Sequence, residues 1–234
     1  MDIYFTQVPF LTWMESMASI AEDVILCRKC PRLVEFRESL ASRYGNGDGW
    51  CKPVPGSGTT RGRLLVVGLA PAISGANRTG RILTGDKTSD FLFSCLYEKG
   101  FSNLPYSRSR DDGLMYFDIF LTAAVKCVPP ENKPQRQEID NCLPFLKREI
   151  VALPSLRVIL VLGRLAHESV LRAILPAGKR KSEFPFYHGN SYGIGNLKLY
   201  CSYHPSPRNV NTGTLNREML LELLDRIRED IQSP

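Results

Sequence analysis

Three polar side chains, Asp86, Asn132 and His204, stand in loops just beyond short apolar runs. The first such loop follows residues 64–67. It opens as Gly68-Leu69-Ala70-Pro71-Ala72 and closes on Thr84-Gly85-Asp86. Another follows residues 197–203 and reads His204-Pro205-Ser206-Pro207-Arg208-Asn209. Loops leaving the C-terminal ends of parallel strands are where α/β proteins place ligands. Small residues let backbone approach a substrate closely. A His at a strand end can donate a hydrogen bond to a substrate oxygen. Asp86 reads either as a catalyst or as a turn or helix-capping residue. Asn132, in Pro129-Pro130-Glu131-Asn132-Lys133-Pro134, reads either as turn chemistry or as part of the same site. Arg78 and Arg81, beside Asn77, could grip a phosphodiester or lie on a solvated surface. The loop lacks the G-x-x-x-x-G-K-[ST] order, which argues against a nucleoside-triphosphate site.

A second chemical set is made of cysteines. Cys27-Arg28-Lys29-Cys30 is a C-x-x-C, and Cys127 and Cys142 form a wider pair. Four thiolates can hold tetrahedral zinc or an iron–sulfur cluster. The alternative is a set of buried, inert thiols. A thioredoxin-like role does not fit, because this C-x-x-C lies outside a βαβ pattern. Cys51, Cys95 and Cys201 are the spare cysteines, and core packing accounts for Cys95 and Cys201.

These groups need a scaffold, and 234 residues suffice for one α/β domain with a real core. We expect a single domain over residues 1–234. Residues 1–63 form its N-terminal helical segment and connector, which carries two of the cysteines. No apolar run approaches the roughly 20 residues of a membrane span. The N-terminus lacks the basic start and small-residue cleavage site of a signal peptide, so the expectation is a cytoplasmic protein. A net charge of +6 permits a polyanionic partner without requiring one.

Periodicity places four strands, at residues 64–69, 117–125, 157–162 and 197–203. Helices are expected at 14–43 (interrupted by Pro31), 88–100, 135–152, 163–175 and 215–231. Residues 44–63 read as a Gly/Pro-rich connector, 102–113 as a polar loop and 176–194 as an irregular basic stretch. Alternating strands and helices predict an α/β fold with a parallel sheet covered on both faces.

Taken in order, these motifs resemble the uracil-DNA glycosylase superfamily, and most closely its family 5, the prokaryotic type b enzymes. The similarity rests on Gly68 to Ala72, on Asn77-Arg78-Thr79-Gly80-Arg81 and on Thr84-Gly85-Asp86. It continues through Leu121 to Cys127, Pro129 to Pro134, and Tyr203-His204-Pro205-Ser206 with Asn209. It runs from Cys27 to the last helix. The resemblance implies a three-layer α/β/α sandwich on a four-stranded parallel sheet. It implies a [4Fe–4S] cluster on Cys27, Cys30, Cys127 and Cys142. The implied partner is double-stranded DNA containing deaminated bases, met in the prokaryotic nucleoid by a monomer. The short N-terminus before Trp13 could host a sliding clamp.

The implied reaction starts base excision repair. It hydrolyses the bond between a flipped-out uracil and deoxyribose, with hypoxanthine and xanthine as further substrates and no strand cleavage. By the same resemblance His204 stabilises the departing base, Asn132 holds the attacking water, and Asp86 orients water or stabilises the sugar cation. Gly68, Ala70, Pro71, Ala72, Asn77, Arg81 and Leu83 are the implied substrate contacts. Arg78, Ser206, Arg208 and Asn209 are the implied DNA contacts, the last two near the tip of a wedge, and Lys179 to Lys181 could add phosphate contacts. Two positions depart from relatives. Ala70 replaces a water-binding polar residue of other branches, which shifts that burden to Asn132 and Asp86. Leu83 stands where relatives commonly carry a stacking Phe, at a loss of roughly 1–3 kcal/mol of stacking. The competing reading is a non-catalytic metal-containing nucleic-acid-binding protein.

Overall fold

The computed structural model describes residues 16–42 and 49–232. The segment before Trp13 therefore lies outside the described residues. The runs 64–69, 117–125, 157–162 and 197–203 all become strands: β2 (Leu64–Gly68), β3 (Ile119–Ala123), β4 (Val158–Leu162) and β6 (Leu197–Ser202). They pair parallel in the order β3-β2-β4-β6. Every residue of β2, β3 and β4 is buried, as strands covered on both faces require.

The expected four-stranded sheet is extended to six. A two-residue strand β1 (Ser57–Gly58) lies antiparallel on β3, and β5 (Ser191–Ile194) lies antiparallel on β6. Both additions protect the edges of the parallel core. They hid in the connector and in the basic stretch because neither has a buried apolar alternation; three of the four β5 residues stay partly or fully accessible.

Alternate strand residues feed two cores. Leu64, Val66, Leu121 and Leu160 face α4 (Lys87–Glu98) and α8 (Arg217–Gln232), through Leu92, Phe93, Leu96, Leu220, Leu223 and Leu224. Leu65, Val67, Ile159 and Val161 face α5 (Arg136–Val151) and α6 (Arg164–Ile174), through Leu146, Ala166, Val170 and Leu171. This is a helix–sheet–helix sandwich. The chain leaves β2 toward one face and β4 toward the other, although the two strands are neighbours. Their C-terminal ends therefore flank a crevice of the kind ligands occupy in open α/β sheets.

The expected helix over residues 14–43 is two helices, α1 (Met17–Ile25) and α2 (Pro31–Ala41). Pro31 takes the first position of α2, where its missing N–H costs nothing. α1 packs Ile20 and Val24 on Phe145 of α5. Two short helices complete the chain: α3 (Ala76–Thr79) and α7 (Pro207–Asn211).

One buried polar link joins the sheet to this helical layer. Lys126 Nζ donates to Thr122 Oγ1 (2.5 Å) on β3 and to Glu149 Oε2 (2.7 Å) on α5, and both charged side chains are 1% exposed. Lys126→Met would leave Glu149 buried and unpaired, costing about 3–5 kcal/mol in urea unfolding. The double variant Lys126→Met/Glu149→Leu should recover most of that loss. A single variant as stable as the parent would refute the assignment.

Candidate active site and cysteine centre

The loops after β2, β3 and β6 converge over the β2–β4 crevice. An inner recess of about 50 Å³ is lined by Gly68, Ala70, Pro71, Ala72, Leu83, Asp86 and His204, among others. It adjoins an outer cleft of about 380 Å³, which shares Ala70, Pro71, Ala72 and His204 and adds Asn132 and Ser206. Residues 136 positions apart in the chain, Gly68 and His204, thus face one space.

Asp86 has two attachments. It is the N-cap of α4: its Oδ1 accepts from Ser89 N (2.9 Å), and Ser89 Oγ accepts from Asp86 N (3.1 Å). Asp86 thus caps α4 and also lines the recess. Burial pushes its carboxyl pKa above the usual range, against the opposing pull of the Ser89 and Thr88 N–H groups. A methyl group on Gly75 would sit 2.2 Å from Asp86 Oδ2, so the carboxylate depends on glycine there.

His204 leaves β6 half-buried. Its carbonyl accepts from Ser206 N (2.8 Å) and Asn209 Nδ2 (2.8 Å), which fixes the backbone at the strand end. Desolvation pushes its pKa down, so the imidazole is neutral near pH 7. Gly163, at the end of β4 with φ 98°, passes behind it; a Cβ there would meet His204 Cβ at 3.4 Å.

Backbone strain gathers at this site. Leu83 (φ 51°), Glu131 (φ 54°) and Asn132 (φ 57°) all take left-handed conformations. Asn tolerates that region; Leu and Glu do so at a cost that surrounding structure must offset. Glu131 and Asn132 form a 3-10 turn, Pro130–Asn132, that sets Asn132 at the cleft.

The remaining predicted contacts do not line the cleft. Arg81 is buried, donating to Ser107 Oγ (2.7 Å), Thr84 Oγ1 (3.1 Å) and Asp112 Oδ2 (2.6 Å). Burial works against the Asp112 carboxylate, but Arg81 and three backbone N–H groups hold its pKa down to about 2. Arg81 thus braces the loop from behind. Asn77 is buried too, its amide donating to Cys51 Sγ (3.6 Å). Arg78 bonds the Ser74 carbonyl (3.0 Å). The wedge expected after Pro205 is helix α7, capped by Ser206 with Pro207 at its first position and Arg208 exposed. Ser-Pro is a helix-start pattern, and it was available in the sequence.

Cys27, Cys30, Cys127 and Cys142 line a single pocket with Val34, Pro53, Lys126 and Asn141. All four are free thiols. Arg37 Nη1 donates to Cys127 Sγ (3.3 Å), and Asn141 Nδ2 to Cys30 Sγ (3.4 Å). Arg37 is 4% exposed, and among the described residues no carboxylate forms an ion pair with it. Burial pushes the Cys127 and Cys142 thiols up to about 11 and about 12. Four soft donors, N–H groups aimed at sulfur and a buried cation without an ion pair fit an anionic thiolate–metal centre. Among the described residues no three His, Cys, Asp or Glu side chains could hold a single metal ion.

The sequence model of the uracil DNA glycosylase superfamily matches residues 55–228 of this chain. The chain belongs to that superfamily. A type-5 uracil-DNA glycosylase of Pyrobaculum aerophilum is 44% identical over 88% of this chain and 90% of its own length. A type-5 enzyme of Thermus thermophilus is also 44% identical, over 88% and 94% respectively. A type-4 uracil-DNA glycosylase of Sulfurisphaera tokodaii is 28% identical over 92% and 85%. Within the superfamily the chain falls with the type-5 group.

The cap and cleft roles of Asp86 can be separated. Asp86→Ala removes the cap and should lower stability by about 1 kcal/mol. Asp86→Ser keeps an N-cap acceptor and should melt close to the parent. Equal melting of the parent and the alanine variant would show that the cap contributes nothing.

Proposed function

We propose that this protein removes uracil from double-stranded DNA by hydrolysing the N-glycosidic bond, the first step of base excision repair. The observation that carries the reading is the convergence of Asp86 and His204 on the recess and of Asn132 and His204 on the cleft it adjoins. Its support is the family, whose type-5 members here are named uracil-DNA glycosylases. Base chemistry of this kind requires the nucleotide to leave the stack and enter a pocket. Breaking the bond builds negative charge on the base and positive charge on the sugar. A neutral His204 donates an N–H to the base oxygen where the negative charge develops. Asn132 holds the attacking water. The Asp86 carboxylate, when ionised, orients that water or stabilises the sugar cation. Ala70 contributes a methyl group where a polar side chain would otherwise bind water, which leaves the water to Asn132 and Asp86.

The enzyme is monofunctional in this reading. No lysine is among the residues lining the recess or the cleft, so a Schiff-base route to strand cleavage has no nucleophile there. Leu83 in place of an aromatic platform suits a pocket that also admits hypoxanthine and xanthine. Arg78, Ser206, Arg208 and Asn209 make the DNA contacts, Arg208 from α7 being the most open to a phosphate. The chain acts as a monomer and as a single domain. Cys27, Cys30, Cys127 and Cys142 hold a [4Fe–4S] cluster, with Arg37 and Asn141 donating to its sulfur ligands. Bound there, the cluster supplies a covalent junction between α1, α2, the loop after β3 and α5.

A labelled duplex with one G·U pair should become alkali-labile at the uracil and remain intact without alkali. An intact strand after alkali would end the base-removal reading, and cleavage without alkali would end the monofunctional one. His204→Ala should cut excision about 10²–10³-fold, with a smaller effect on binding to abasic DNA. Asp86→Ser, although folded, should also be slow. The same assay with hypoxanthine and xanthine duplexes decides the wider specificity.

Protein purified without oxygen should be brown, with broad visible absorbance and about four irons per chain. Cys142→Ala should lose the colour. A colourless parent with stoichiometric zinc would overturn the cluster assignment.

A further inference from the structure

A separate cavity lies between α6 and residues 181–186, with a volume of about 370 Å³. That is within the range of small-molecule sites. Its walls include Arg164, His167, Lys181, Phe184 and Phe186. His167 is 3% exposed, and its Nε2 is buried without a hydrogen-bond partner among the described residues. Burial, then the neighbouring Arg164, push its pKa down to about 4, so the ring is neutral. The imidazole lies 5.4 Å from the Phe186 ring, and the Arg164 guanidinium lies over that ring at 5.7 Å from its centroid. These are flat faces with one unsatisfied polar atom.

The two cations lining this cavity, Arg164 and Lys181, have no carboxylate partner among the described residues. Glu183 takes Lys179 and Arg180, and Asp140 takes Arg172. Among the described residues no ion pair is formed by Arg164 or Lys181, nor by Arg136, which lines an adjoining cavity of about 340 Å³. Glu168 is the one carboxylate in either lining. Phe186 lies 6.1 Å from the ring of Tyr203, the residue before His204, while the cavity shares no lining residue with the cleft.

We propose that this cavity is a second nucleotide-binding subsite, taking a base against Phe184 and Phe186 beside His167 and its phosphate on Arg164 and Lys181. The nucleotide could come from a bound strand or from free mononucleotide; the chemistry recognised is the same. Because no base need be removed, the proposal stands apart from the glycosylase reading.

Calorimetry on the full chain tests it, with dAMP, an unmodified single-stranded oligonucleotide and inorganic phosphate as probes. Phe184→Leu keeps apolar packing but removes the aromatic face, and Arg164→Ala changes an exposed side chain. In at least one nucleotide arm both variants should weaken binding about fivefold or more. The arm that responds names the source. Loss in Arg164→Ala alone, or phosphate binding as tight as dAMP, would reduce the site to an anion patch and overturn the proposal. Loss in His204→Ala would place the nucleotide in the lesion cleft and overturn it equally, as would binding in neither arm.

Discussion

A single buried ammonium ties the scaffold to its working parts. Lys126 bonds β3 through Thr122 and α5 through Glu149. Its carbonyl accepts from Val54 N (2.7 Å), which fixes the connector, and its own N–H faces the Cys142 thiol. Cys127 is the next residue, and the turn that carries Asn132 follows within six. A charge this deep is tolerated only when paired and fully hydrogen-bonded. The pair therefore fixes the spacing of sheet, cysteine loop and helix together, and none can shift without exposing an unmatched charge.

The cleft is built on similar constraints. Asp86 must start α4 and also present a buried carboxyl, and both demands are met because Gly75 leaves room for Oδ2. Leu83, Glu131 and Asn132 hold left-handed backbone at the rim. Such conformations persist where the surroundings over-determine them. Here the surroundings are the Arg81–Asp112–Ser107–Thr84 network behind one loop and the cysteine centre behind the other.

The parallel core was legible because its strands are continuous apolar runs, and the convergence of Asp86, Asn132 and His204 followed from loops at one sheet end. Charge was the misleading cue. Arg81 sits among glycines and threonines in a loop that reads as a phosphate grip, yet its guanidinium turns inward to Asp112, a residue 31 positions away. No local pattern announces such a partner. The edge strands β1 and β5 escaped for a different reason: accessible edges need no hydrophobic alternation. α7 escaped because a five-residue helix has too few turns to show a period, although its Ser-Pro cap was present.

Ala70 connects the two centres. Its side chain packs on the cluster of Cys30, Leu33, Val125, Cys127 and Cys142, while the residue also lines the recess and the cleft. The hydrogen bond from Val125 N to the Leu69 carbonyl (2.9 Å) keeps this loop against the cysteine-bearing segment. A longer polar side chain at position 70 would have to displace apolar packing on one side or fill the cleft on the other. The methyl group thus packs on the cysteine centre and offers the cleft no polar atom. The polar work of the site then falls to residues from the other loops, which reach the same space from the ends of β3 and β6 and from the start of α4.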